Sequence, residues 1–436
     1  MTLNKQIVRL AVPSILANIT IPLVGLVDTA IVGHISNASA IGGIAIGTML
    51  FDLLYWNFGF LRVGTSGMTA QAYGRGDKTE CAKLLQQSIG ISLAATALIW
   101  LLQWVFVTLV LMIVPCSDAV AEVAKQYFYV RIWAAPATLS LMAFKGWFIG
   151  MQDTRSPMAI DILVNVVNMV ASYLLAVTAG LGVVGVAWGT LIAQFSGLIL
   201  ALVLLLGKYA DVITSSSFIE TFRNIRGMRE LMHLNGNLFI RSLCFMIVYV
   251  GFTSLATRYG DTELAVSSIM MKLFMLFSFF VDGFAYAGEA LVGKFIGGKS
   301  FEEVSRVVRL LFNWSIGVGL VFTAIYGIWG IECIEVLTND QNVLVASKPY
   351  IGWLIAMPIV STLAFMWDGI YVGATAGVQI RNAMILAAIA FVVLYVATYY
   401  FVGAQALYIA YFAHLLARVI YLTAIWKKTY VYQISK

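Results

Sequence analysis

Charge is what this chain has least of. Only 11% of its 436 residues are Asp, Glu, Lys or Arg, against about 25% in soluble domains, so a soluble globular fold is excluded. Histidine is nearly absent too: His34, His233 and His414 stand far apart. The four cysteines are scattered, and no stretch has metal-ligand spacing or a nucleotide-binding glycine loop. A metalloenzyme, a nucleotide-driven enzyme and a disulfide framework all lose their basis. Cys116 and Cys333 fall in comparable outward loops, and two unpaired small residues is the reading favoured over a bridge.

What the chain has is apolar length. It is 61% hydrophobic with a mean hydropathy of +0.91. The apolar runs are continuous over about 20 residues, as membrane helices require, where barrel strands would alternate over about 10. Spans are expected at 8–34, 39–72, 84–114, 120–150, 157–179, 182–207, 230–257, 263–296, 304–330, 344–373, 382–402 and 404–426. The expected fold class is an all-α integral membrane protein with twelve transmembrane helices. Runs longer than about 20 residues tilt, kink or protrude.

The net charge of +6 follows topology and is no nucleic-acid signature. Eighteen of the 27 Lys and Arg residues lie at the termini and in the even-numbered loops, four on the other side and five within spans. That asymmetry places both termini in the cytoplasm, here of the inner membrane. Residues 1–30 lack a short apolar region followed by a small-residue cleavage site, so no cleaved signal peptide is expected.

One long polar interruption, 208–229, divides the chain into six-helix bundles at 1–207 and 230–436. The halves share features. Gln71-Ala-Tyr-Gly74 and Lys294-Phe-Ile-Gly297 close corresponding helices 223 residues apart, and Gly150 and Gly373 repeat that spacing. Arg131-Ile-Trp-Ala-Ala-Pro136 pairs with Trp353-Leu-Ile-Ala-Met-Pro358. A shared offset argues duplication, here as two parallel repeats, the architecture of a transporter with a central cleft.

Within the spans a few polar residues stand out. Asp28 lies deep in an apolar run, where a charge costs roughly 2.5–3.5 kcal/mol or more and reads as functional by default. Pro13 and Pro22, on its cytoplasmic side, each remove a helical hydrogen bond and invite a kink. Asn165, Asn168 and Ser172 form one stripe, and Thr190 and Gln194 another. Arg62, Lys272, Asp282 and Asp368 read equally as ion-pair members or substrate contacts, and Glu289 as a vestibule residue. Lys145 either snorkels to the cytoplasm or points toward Asn168 and Asp28.

Four segments carry a resemblance: Asn18-Ile-Thr-Ile-Pro22-Leu-Val-Gly-Leu-Val-Asp28-Thr-Ala-Ile-Val-Gly-His34, Gly67-Met-Thr-Ala-Gln71-Ala-Tyr-Gly74, Asp282-Gly-Phe-Ala-Tyr-Ala-Gly-Glu289-Ala and Asp368-Gly-Ile-Tyr-Val-Gly-Ala-Thr375. With them the whole chain resembles the multidrug and toxic compound extrusion (MATE) transporters, in their DNA-damage-inducible branch. The resemblance implies an antiporter, not an enzyme, that exports cationic or amphipathic molecules by alternating access. It implies that Asp28 binds the coupling ion, that Asn168 and Thr190 are its partners and that Pro13 accompanies helix bending. Many members carry a second carboxylate where this chain has Ser172, which favours protons over sodium as the coupling ion at Asp28. No cofactor or metal is expected, the partners are the substrate and the bilayer, and the chain is expected to be a monomer. A lipid flippase is the alternative, supported by Arg62, Arg241, Lys272 and Lys145. A major-facilitator symporter is weaker, resting on Gly74-Arg-Gly-Asp77-Lys.

Overall fold

The computed structural model describes the chain except residues 1, 36–37, 115, 218–220, 222–224 and 436. The side chains of 21–30, 32–40, 225–226 and 432–436 also lie outside the description. The described residues are almost entirely helical. The α-helices are α1 (Leu3–Ile35), α2 (Ala38–Trp56), α3 (Phe60–Gly74), α4 (Lys78–Ile113), α5 (Asp118–Arg131), α6 (Ala135–Gly150), α7 (Arg155–Tyr173) and α8 (Gly182–Ile213). They continue with α9 (Ile225–Ala256), α10 (Asp261–Gly297), α11 (Phe301–Glu335), α12 (Gln341–Ser347), α13 (Ile351–Gly373), α14 (Gly377–Val402) and α15 (Gln405–Ser435).

Eleven helical stretches among the described residues are long and apolar enough to cross a membrane. In most of them the apolar character is not spent on a protein core: in α14 only 17% of the most apolar window is buried. Residues such as Val392, Val396 and Phe401 face outward, which is costly in water and favourable in lipid.

Several spans read as continuous are broken. The run 39–72 is α2, a 3₁₀ turn at Asn57–Gly59 and α3. The run 120–150 is α5, a 3₁₀ turn at Ile132–Ala134 and α6. Pro136 follows that turn within the first turn of α6, where its missing N–H costs least. Lys348–Tyr350 likewise separates α12 from α13 and contains Pro349. The interruption expected from 208 is also shorter at its start, because α8 runs to Ile213 through a non-helical residue, Tyr209. At some helix starts side chains meet the free N–H groups. Asp77 accepts from the Glu80 amide at 2.9 Å, and Asp153 from the Arg155 and Ser156 amides at 3.1 Å each.

The chain forms two compact units. One comprises Met1–Ile15, Ala70–Gly76 and Met232–Lys436, and the other Leu16–Thr69 and Asp77–Leu231. The core of the first is aromatic, with Phe252 edge-on to Tyr408 and Tyr411, and Phe274 against Phe365 and Tyr411. The core of the second centres on Phe51, Tyr127 and Phe128.

Element boundaries recur at the spacing read from the sequence. α4 begins at Lys78 and α11 at Phe301; α8 begins at Gly182 and α15 at Gln405; α3 ends at Gly74 and α10 at Gly297. Left-handed backbone recurs at that spacing in Gly76 and Lys299, Gln152 and Thr375, and Gly180 and Gly403. Packing recurs too. A Cβ on Gly146 would overlap the carbonyl oxygen of Arg62, and one on Gly369 that of Ala285.

Candidate functional site

The polar stripe on α7 is where three of the expected coupling residues, Asn168, Ser172 and Thr190, meet. Gly189 on α8 brings the helices together, since a Cβ there would stand 2.5 Å from the Ser172 amide nitrogen. At this approach Asn168 Nδ2 donates to Thr190 Oγ1 at 3.0 Å, and Thr190 donates to the Val186 carbonyl. Asn168, Ser172 and Thr190 are all buried. Asn168 Oδ1 and Ser172 Oγ have no hydrogen-bond partner among the described residues, and unpartnered polar atoms in an apolar interior cost about 1–3 kcal/mol each. One turn further toward the start of α7, Asn165 Nδ2 donates to Thr20 Oγ1 on α1 at 2.5 Å. A π turn at Leu174–Thr178 begins two residues after Ser172, an irregularity frequent at functional sites.

Asp28 and Pro22 lie on α1, but their side chains fall outside the described residues. Pro13, on the same helix, is buried.

Lys145 does not point at the Asn168 site. Its Nζ lies 2.6 Å from Asp161 Oδ1, with both side chains about a quarter exposed. Sequence reasoning missed Asp161. The signal was there: 161, 165, 168 and 172 lie at i, i+4, i+7 and i+11, one face of α7. The stripe therefore holds a carboxylate, neutralised by a lysine from α6.

At the start of α7, Asp153 accepts from Ser156 Oγ at 2.6 Å, Lys208 Nζ at 3.1 Å and Tyr209 Oη at 3.2 Å. Burial pushes its carboxyl up. The Ser156 hydroxyl and amide and the Lys208 ammonium outweigh that and hold it below the ordinary carboxylate value.

The other intramembrane charges separate. Asp368 is 8% exposed and takes hydrogen bonds from Arg241 and Arg418, so it is an ion-pair member. Sequence reasoning marked Arg418 only as a residue within a span; a contact among residues 241, 368 and 418 is tertiary and leaves no local spacing to read. Arg62 and Asp282 are half-buried and partnered, and Lys272 is exposed. All four cysteines are free.

The MatE family model matches residues 13–174 and 238–401. The DNA damage-inducible protein F of Escherichia coli is 34% identical over 98% of this chain and 92% of its own length. The probable multidrug resistance protein NorM of Thermotoga maritima is 23% identical over 79% of this chain and 75% of its own. Among solved structures, an outward-facing multidrug resistance MATE family transporter superposes with a TM-score of 0.88 at 17% identity, covering 98% of this chain and 96% of that one. A MOP superfamily transporter from Pyrococcus furiosus gives 0.87 at 18% identity over 100% and 97%. These structures agree in fold, and with the family match over most of its length the chain belongs to the MatE family of multi-pass membrane transporters, which are not enzymes.

Proposed function

We propose that the protein is a secondary active antiporter that exports cationic or amphipathic small molecules in exchange for protons, by alternating access, with sodium the less favoured coupling ion. It acts in the inner membrane as a monomer of twelve transmembrane helices, both termini cytoplasmic, built from two six-helix repeats. The recurring boundaries, left-handed residues and glycine contacts support the repeat, as do two family-matched segments of near-equal length.

The observation that carries the coupling reading is the buried Asn168–Thr190 pair, with Asn168 Oδ1 and Ser172 Oγ beside it lacking a partner among the described residues. Two neutral oxygens, with serine at 172 where many members carry a second carboxylate, suit a group that gains and loses a proton. A bare metal cation gains more from added anionic ligands. With Asp28 ionised, the site holds a cationic substrate; protonation removes the charge and the hold, and a few kcal/mol of differential binding shifts the conformational equilibrium. The flippase alternative needs a strongly cationic cavity. Lys145, one of the four basic residues that reading rests on, is neutralised by Asp161, which leaves less free positive charge for it.

The test is transport of a cationic dye by protein reconstituted into sodium-free vesicles. An imposed proton gradient should drive it. Transport driven only by a sodium gradient would contradict the proposal.

A further inference from the structure

The coupling reading makes no use of the charged cluster where α9, α13 and α15 meet. Asp368 Oδ2 accepts from Arg418 Nη2 at 2.5 Å and from Arg241 Nη2 at 2.9 Å. Two guanidinium ions share one carboxylate oxygen, so the group carries one net positive charge. Arg418 is only 1% exposed, yet its Nε and Nη1 have no hydrogen-bond acceptor among the described residues. Both ring nitrogens of His414, one turn before Arg418 on α15, are also buried without a partner, as is Asp368 Oδ1. Polar atoms this deep are normally satisfied. A purely structural ion pair would have used both carboxylate oxygens and more of the guanidinium fork.

The surroundings hold this arrangement in place. Trp367 Nε1 donates to Thr423 Oγ1 at 2.8 Å and Tyr371 Oη to the Leu422 carbonyl at 2.6 Å, pinning α13 to α15 one turn beyond Arg418. Exposure falls from 24% at the Arg241 side chain through 11% at Asp368 to 2% at Arg418. The cluster is therefore open at Arg241 and closed at Arg418.

We propose that this cluster is a binding site for an oxyanion, the carboxylate or phosphate group of an amphipathic molecule, which enters past Arg241 and takes the open N–H groups of Arg418. Such a ligand cancels the net charge and supplies the missing acceptors. An N–H or O–H next to its anionic group would meet Asp368 Oδ1. A planar guanidinium suits oxyanions better than a lysine would. The proposal widens the substrate range beyond cations, to molecules that carry an anionic group. It stands independently of the coupling reading, since none of its residues belongs to the α7 stripe.

The test is fluorescence titration of purified full-length protein in detergent with dansylglycine, against its uncharged amide, dansylglycinamide. The acid should bind saturably and the amide at least about tenfold more weakly, a difference of about 1.4 kcal/mol. Arg418→Gln should abolish the preference for the acid. Asp368→Asn removes the competing carboxylate and should tighten binding of the acid, the opposite of what loss of a structural salt bridge would do, and it keeps the proposal testable if Arg418→Gln unfolds. Equal binding of acid and amide, or weaker binding of the acid to Asp368→Asn, would overturn the proposal. Repeating the titration in phosphatidylcholine nanodiscs with and without phosphatidylglycerol separates two sources of the same chemistry. Displacement by phosphatidylglycerol assigns the site to a lipid phosphate, and no displacement assigns it to a soluble carboxylate.

Discussion

At the scale of single residues, the informative ones are polar side chains whose partners are few and specific. Lys145 and Asp161 are a partly shielded pair. Removing one partner should cost more than the ~1 kcal/mol of a surface pair and less than the ~3–5 kcal/mol of a fully buried one. Lys145→Met is accordingly expected to lower the melting temperature in detergent more than the double variant Lys145→Met/Asp161→Asn. An additive double variant would deny the coupling. Asp153 makes a second prediction. Its folded carboxyl lies below its ordinary value of 3.8, so its contribution to stability is fully present above that value and is lost as pH falls through the folded pKa. Asp153→Asn keeps a carbonyl acceptor for the α7 amides and removes the charge that Lys208 meets. The variant should melt below the parent at pH 7, and the gap should shrink in acid; a gap that grew in acid would contradict the sign. Asp161 was overlooked because it lies near the start of its helix, two turns from Arg155, where a carboxylate reads as costing little. Asp28 stood out because it does not.

At the scale of elements, hydropathy made the spans legible, because lipid contact needs apolar length and nothing finer. It could not show the breaks. A 3₁₀ turn at Ile132–Ala134 or Lys348–Tyr350 leaves the apolar content unchanged, and only the nearby Pro136 and Pro349 hint at it. Nor could it show which helices touch. The glycine contacts supply that, and they predict asymmetric tolerance. Gly146→Ala and Gly369→Ala each drive a methyl into a neighbouring helix's backbone, in equivalent places, and should destabilise by about 1–3 kcal/mol. Gly236, on α9, has open space around its missing side chain, so Gly236→Ala should be neutral or stabilise by up to about 1 kcal/mol. Thermal unfolding of the three variants checks this; equal tolerance at all three would refute the close-packing account.

At the scale of the whole molecule, the sequence carried the fold class, the family resemblance and the internal offset, since all three are written in spacing along the chain. It did not carry the pairing of Asp368 with two arginines or of Lys145 with Asp161, because those depend on which helix faces which. The coupling site lies between these extremes: helical spacing put Asn165, Asn168 and Ser172 on one face and the resemblance named Thr190, while the fold added the Asn168–Thr190 hydrogen bond and Thr20 as the partner of Asn165. The account rests on one titrating group on α1 acting with that face. The direct measurement is efflux of a cationic dye from vesicles under an imposed proton gradient, comparing the parent with Asp28→Asn at matched protein orientation. The expected result is proton-driven efflux by the parent and at least a tenfold lower coupled rate in the variant, corresponding to about 1.4 kcal/mol or more. Full proton-coupled efflux by Asp28→Asn would contradict the account.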